Sequence, residues 1–185
     1  SMSSVPRFWE KVYQAVKDKI DRSNPMQQKL FRHALEIGRK YNLECKSRCK
    51  RPSPMLAMEY KVFDKMVLRL VRKQLGLENA NIFPTAGAAV SPEVERFAHS
   101  VGLNMVVGYG LTESLATVSC DRENMPYTIG SVGRPINGID VKIGENDEIL
   151  LKGPTITPGY YRRDAANKEA FTEDGYFRTG DAGYI

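Results

Sequence analysis

Gly108-Tyr109-Gly110-Leu111-Thr112-Glu113 is the stretch of this sequence whose residue types and spacing best suit chemistry. Its two glycines remove side chains, so a flat or charged ligand can reach the backbone. Tyr109 between them offers an aromatic face to a base. Thr112 offers a hydroxyl to a phosphate oxygen, and Glu113 a carboxylate to a hard cation. Gly87-Ala88-Ala89 is a second run of small residues that opens the backbone in the same way. Asp181 ends Phe177-Arg178-Thr179-Gly180-Asp181, where a carboxylate just past a strand suits a bidentate contact to ribose hydroxyls. Each feature also has a plainer reading. The first is a tight turn with Tyr109 packed inward and Glu113 in solvent, and Gly180-Asp181 is a common turn pair.

Other chemistry fails on spacing. The glycines at 108 and 110 are followed by Glu113 where a dinucleotide fingerprint needs Gly or Ala, and no phosphate-binding lysine loop occurs. Cys45 and Cys49 have no second pair and no nearby histidine, which argues against zinc. His33 and His99 fall in predicted helices and read as packing or surface residues. Trp9, Tyr160 and Tyr161 read as core.

The elements that must position these residues are legible in the pattern. Phe8, Trp9, Val12, Tyr13, Val16 and Ile20 recur at helical spacing after Pro6. Asn24-Pro25 starts a second helix, and Lys46–Arg51 with Pro52-Ser53-Pro54 reads as a basic loop. A third helix carries Phe63, Met66, Val67, Leu70, Val71 and Leu75 and stops at Gly76. Ile82–Thr85 is a predicted strand, Ser91-Pro92 opens a helix that Gly102 ends, and the apolar run Leu103–Val107 is a predicted buried parallel strand. A right-handed crossover makes the two strands parallel and puts both small-residue turns at one sheet edge, where open α/β sheets bind ligands. Ile139–Ile143 and Glu148–Lys152 form a predicted hairpin. Asp164 is placed to cap a short helix running to Phe171, and Asp174-Gly175 turns into the Tyr176–Thr179 strand. A domain boundary is expected near 125–128, after Asn124-Met125-Pro126.

The chain has 185 residues, 42% hydrophobic and 26% charged, enough to bury a core. Three cysteines are too few and odd in number for a disulfide scaffold, and no apolar run approaches the roughly 18 residues that span a bilayer. Reduced thiols with no export signal point to a cytoplasmic setting. Residues 1–80 carry 18 Lys/Arg against 8 Asp/Glu, and residues 81–185 carry 9 against 14, giving +10 and −5. The basic half reads as a solvated helical surface, or as a contact for an anionic membrane, a polyanion or nucleic acid.

Gly108-Tyr109-Gly110-Leu111-Thr112-Glu113-Ser114 resembles the central motif of acyl-adenylate-forming enzymes: acyl-CoA synthetases, luciferases and peptide-synthetase adenylation domains. Gly130-Ser131-Val132-Gly133-Arg134-Pro135 is a second match, and Glu148–Leu150, Gly153-Pro154 and Pro158-Gly159-Tyr160-Tyr161 form a third. Ala170–Asp181 is the fourth, and the blocks follow the family's order and spacing. Val5-Pro6-Arg7-Phe8-Trp9-Glu10-Lys11-Val12-Tyr13 and the long basic helical stretch after it resemble the long-chain fatty acyl-CoA synthetase branch. The resemblance implies an α/β fold: part of a large N-terminal AMP-binding domain with a parallel sheet and helices, then a small β-rich subdomain. The expected divisions are a basic helical segment over 1–80, a strand–helix–strand part over 81–127 and a distorted β-barrel over 128–185.

The resemblance also implies roles. Gly87, Ala88 and Ala89 match the loop lining the adenine site, although Val90 stands where Pro is usual. Gly108, Tyr109, Gly110 and Leu111 match the segment against which adenine stacks. Thr112 matches the hydroxyl at the α-phosphate, Glu113 the magnesium carboxylate and Asp181 the acid that holds the ribose. The implied enzyme is an AMP-forming acid–thiol ligase that uses ATP, Mg2+ and coenzyme A to activate a fatty acid. Its partners are these small molecules, with peripheral membrane contact through the basic half and no nucleic acid. The family's glycine-rich phosphate loop and its lysine-bearing C-terminal domain are not found in these residues, so the chain alone is expected not to make acyl-CoA. An adenylating enzyme for another carboxylic acid, or a non-catalytic basic module binding membrane or nucleic acid, remain alternatives.

Overall fold

A computed structural model describes residues 1–121 and 125–185. Asn124, just before the expected domain boundary, lies outside the described residues. The chain forms two compact units, residues 1–107 with 121–133, and residues 108–120 with 134–185.

The first unit is mostly helical. Helix α1 (Pro6–Asp21) starts at a proline, and α2 (Pro25–Arg39) starts where Asn24 accepts the Gln27 N–H at 2.9 Å. The basic stretch expected as loop is helical for longer. α2 runs on through a π-helical turn (Lys40–Cys45) and a 3-10 turn (Lys46–Arg48), and Cys49 in the left-handed region ends it. The Ser53 hydroxyl caps α3 (Pro54–Phe63), which continues through a π-helical turn (Asp64–Leu68) into α4 (Arg69–Gln74). Arg72 pairs with Asp64 at 2.7 Å and donates to the Val101 carbonyl at 2.6 Å, so α4 closes the open end of another helix.

That helix, α5 (Pro92–Val101), joins strand β1 (Phe83–Thr85) to strand β2 (Met105–Tyr109). The strands are parallel, with Phe83 opposite Met105 and Thr85 opposite Val107, as the crossover argument requires. β2 begins two residues later than the apolar run. The Leu103 N–H bonds the Ala98 carbonyl at 2.9 Å, so Leu103 still belongs to the helix cap formed around Gly102 (φ 88°). Trp9, Val12, Leu77, Phe83, Val94, Ala98, Leu103, Met105 and Val107 form the core here, and the Trp9 indole donates to Thr85 Oγ1 at 2.8 Å. His33 lies edge-on to Phe63, and His99 is buried, so both pack.

The second unit holds the antiparallel pairing of Gly108-Tyr109 with β3 (Ser119-Cys120), and of β3 with β4 (Arg134-Pro135). A three-stranded antiparallel sheet follows, with the expected hairpin β5 (Asp140–Ile143) and β6 (Glu148–Lys152), and then β7 (Phe177–Ala182). Val118, Ile139 and Leu151 centre its core. Helix α6 spans Asp164–Ala170, and Asp164 is its first residue rather than its cap. The cap position is Arg163, which makes no side-chain cap bond because a guanidinium carries no acceptor.

Candidate functional site

The motif loop is built by a hairpin that leaves β2 and returns as β3. The Val118 N–H bonds the Tyr109 carbonyl at 2.8 Å, and the Ala116 N–H bonds the Leu111 carbonyl at 2.9 Å. Ser114, buried, donates its hydroxyl to the Leu111 carbonyl at 3.0 Å and accepts the Leu111 N–H at 2.9 Å. This clamps Thr112-Glu113-Ser114 into a single 3-10 turn. The glycines have a steric reason. A Cβ on Gly110 would stand 1.9 Å from the Ala116 carbonyl oxygen, and one on Gly108 3.1 Å from that of Ser119. Leu115 and Ala116 hold positive φ (52° and 73°), so the turn is strained where it is tightest.

Tyr109 and Leu111 pack against the core of the second unit, and that packing aims the Tyr109 hydroxyl. It donates to Asp181 Oδ2 at 2.7 Å. Burial first, and the Asp181 carboxylate second, push the Tyr109 pKa up to about 12, so it remains a hydrogen-bond donor. Asp181 is not just past a strand but within β7. Gly180 (φ 71°) and a register shift in the β6–β7 pairing absorb the turn and let the strand continue. Asp181 lines a hollow of about 250 Å³ with Glu145, Asn146, Glu148, Gly180 and Ala182. A carboxylate has about four acceptor positions, so the Tyr109 bond leaves room for ligand hydroxyls.

Glu113 is half-buried, and one of its oxygens accepts the Tyr160 hydroxyl at 2.9 Å. That bond is the main reason the Tyr160 pKa rises. Thr112 is exposed beside it. Among the described residues no group of three or more His, Cys, Asp or Glu side chains converges to hold a metal. One carboxylate and one hydroxyl fit Mg2+, which keeps most of its waters and takes substrate phosphate oxygens in place of an all-protein cage. Tyr160 and Tyr161 are not core residues: both are exposed, Tyr161 by 82%. The Pro158-Gly159 turn that precedes them was the signal that they sit at a surface.

The other small-residue loop lies in the first unit. Gly87, Ala88 and Ala89 are exposed two to four residues past β1, and Gly87 (φ 94°) uses a conformation that L side chains rarely adopt. Glu95 stands in the first turn of α5, and it is 1% exposed and accepts the Gly130 N–H at 2.7 Å. Burial pushes its pKa up to about 7.

Comparison with known proteins adds relatives. A long-chain-fatty-acid–CoA ligase, FadD15, of Mycobacterium bovis is 33% identical over 98% of this chain. The chain spans only about 29% of that relative's length. Among solved structures, the N-terminal domain of FACL13 from Mycobacterium tuberculosis is 26% identical with a TM-score of 0.51, over 65% of this chain and 34% of that one. A malonyl-CoA ligase with methylmalonyl-CoA and AMP bound is 29% identical with a TM-score of 0.50, over 64% of this chain and 28% of that one. The family model for AMP-binding enzymes matches residues 1–161, and this chain therefore belongs to the AMP-binding enzyme family.

Proposed function

We propose that this chain is part of an AMP-forming acid–thiol ligase that activates long-chain fatty acids and transfers them to coenzyme A. The observation that carries the reading is the Tyr109–Asp181 bond, because it joins two separate motif blocks in one hydrogen-bonded pair beside an open hollow. In this reading Tyr109 and the bare backbone of Gly108 and Gly110 hold the adenine. Asp181 accepts the ribose hydroxyls, and Leu111 fixes the loop from the core side. Gly87, Ala88 and Ala89 are assigned to adenine by the same family match. Thr112 donates its hydroxyl to an α-phosphate oxygen, and the Glu113 carboxylate would hold the metal. Bound Mg2+ would neutralise phosphate charge as the α-phosphorus is attacked. The fatty acid carboxylate oxygen attacks that phosphorus and pyrophosphate leaves. The thiol sulfur of coenzyme A then attacks the acyl carbon, loses its proton, and AMP leaves. Positioning and charge stabilisation, not covalent help from the protein, are what the first step needs.

The relatives' printed substrates favour a long acyl chain over another carboxylic acid. The test is pyrophosphate–ATP exchange by the whole enzyme with acids of graded length. Exchange driven by palmitate and not by acetate or malonate is expected, and exchange driven only by a short or aromatic acid sinks the assignment. Asp181→Asn should weaken AMP binding on the order of tenfold or more, as loss of a charged hydrogen-bond acceptor does.

A second feature favours peripheral contact with an anionic membrane. Along α3–α4, Met55, Met58, Val62, Met66 and Leu70 are exposed in one row, and Lys61, Lys65, Arg69 and Lys73 form a basic row beside it. An apolar row flanked by cations suits an anionic bilayer surface. No helix among the described residues is long and apolar enough to cross a membrane. Co-sedimentation with vesicles containing phosphatidylserine should weaken with salt. Equal binding to neutral vesicles, or none, contradicts the contact.

A further inference from the structure

We propose that Tyr160 is a positioning residue for Glu113, acting as the outer support of the metal-facing carboxylate. The inference rests on the reading of Glu113 given above. Glu113 is gripped twice by one short segment. The Thr157 N–H donates to its backbone carbonyl at 2.7 Å, and the Tyr160 hydroxyl donates to its Oε1 at 2.9 Å. Tyr160 is itself held. Its N–H donates to Asn167 Oδ1 at 2.7 Å, and the Asn167 amide returns a bond to the Tyr160 carbonyl at 3.0 Å. Asn167 sits on α6, so a helix anchors a side-chain amide, the amide fixes a tyrosine backbone, and the tyrosine hydroxyl fixes a carboxylate.

Gly159 is needed for the clamp. Its φ is 137°, and a Cβ there would approach Asn167 Oδ1 to 3.0 Å. The Tyr160–Glu113 bond is exposed. Exposed polar pairs contribute little to folding, so stability gives no reason for a tyrosine held by Asn167 to meet this carboxylate. Orientation does. A glutamate has three side-chain torsions, and a bond to Oε1 restricts them, which fixes where the carboxylate sits. Outer-shell partners of metal-facing carboxylates commonly change metal affinity 10–100-fold.

The test uses the whole enzyme and equilibrium ATP binding by calorimetry across a Mg2+ titration. AMP binding without metal and thermal unfolding serve as controls. Tyr160→Phe should shift the Mg2+ midpoint for ATP binding upward about tenfold. AMP binding and unfolding temperature should stay unchanged, and turnover should recover at high Mg2+. Asn167→Ala should shift the midpoint in the same direction by less. In a Glu113→Gln background, Tyr160→Phe should add nothing. A Tyr160→Phe midpoint equal to wild type, while Glu113→Gln moves it, overturns the positioning role and leaves the Glu113 reading standing. A Tyr160→Phe protein that loses unfolding temperature with no midpoint shift has a structural tyrosine, which also overturns the role. A midpoint insensitive to Glu113→Gln overturns the Glu113 reading itself.

Discussion

Glu95→Gln should make the first unit more stable at alkaline pH and change little at acid pH. Glu95 is 1% exposed on α5; its Oε2 accepts the Gly130 N–H, and its Oε1 has no partner among the described residues. Burial is the main cause that raises its pKa to about 7, with the Gly130 bond opposing. In the unfolded chain a glutamate titrates near ~4.3. Folded Glu95 therefore keeps its proton where the unfolded chain has lost it. Its contribution is fully present below about pH 4.3 and is lost progressively as pH rises to about 7, after which the loss is constant. A shift from ~4.3 to about 7 corresponds to roughly 3.7 kcal/mol at most, at about 1.36 kcal/mol per unit, and solvent screening brings the expected loss to about 2 kcal/mol. Glutamine can still accept from Gly130 and cannot ionise. The free-energy difference between Glu95→Gln and wild type should therefore grow by about 2 kcal/mol between pH 4.5 and pH 8.

The assay is urea unfolding followed by tryptophan fluorescence. Trp9 is the sole tryptophan and lies in the first unit's core, so the signal reports that unit. Asp121, also raised to about 7 by burial, contributes to the raised Glu95 pKa through its charge, so the difference reports Glu95 together with its coupling to Asp121. A difference that stays flat from pH 4.5 to 8 would refute the reasoning, because it would mean Glu95 ionises in the fold without cost.

Other outcomes follow from single contacts. Gly110→Ala must push its methyl into the Ala116 carbonyl, so it should lower the unfolding temperature and abolish nucleotide binding by the whole enzyme. Normal AMP binding by that variant would contradict the tight turn. Arg72→Ala removes a partly buried pair with Asp64 and uncaps α5 at Val101. A loss of about 2–3 kcal/mol in urea unfolding is expected, and less than ~0.5 would mean water replaces the guanidinium freely. Trp9→Phe removes the bond to Thr85 at 2.8 Å inside the core and should cost about 1–3 kcal/mol, read by circular dichroism. Tyr109→Phe should weaken AMP binding several-fold at every pH from 6 to 9, since the hydroxyl does not titrate there; a pH-dependent defect would contradict its role as a fixed donor.

Much of this arrangement is readable without coordinates, and the reason is local. Pro6, Asn24-Pro25 and Ser91-Pro92 set helix starts through forces acting within one turn, and each does start a helix, whereas Ser53-Pro54, which reads as loop, starts one too. The hairpin over Asp140–Lys152 follows from period-two alternation around a turn. The basic stretch from Lys46 reads as loop although Lys46–Arg48 form a 3-10 turn that extends the helix, because so short a turn leaves no apolar period. Leu103 was misassigned because its apolar character reports burial, while its backbone is already used by the helix cap. At the candidate site the same division holds. Small residues and a lone carboxylate announce an open backbone, so Gly108, Gly110, Glu113 and Asp181 stand out. The partners of the tyrosine hydroxyls do not, because a tyrosine's ring belongs in a core and its hydroxyl belongs to whichever acceptor the fold supplies. Tyr109 keeps both habits, its ring packed on the core and its hydroxyl on Asp181, 72 residues away. Tyr160 keeps only the second, 47 residues from Glu113, and only the turn at Gly159 and the amide of Asn167 make that reach possible. A carboxylate can be found from its own residue type, but the residue that aims it is defined by where distant backbone brings a donor.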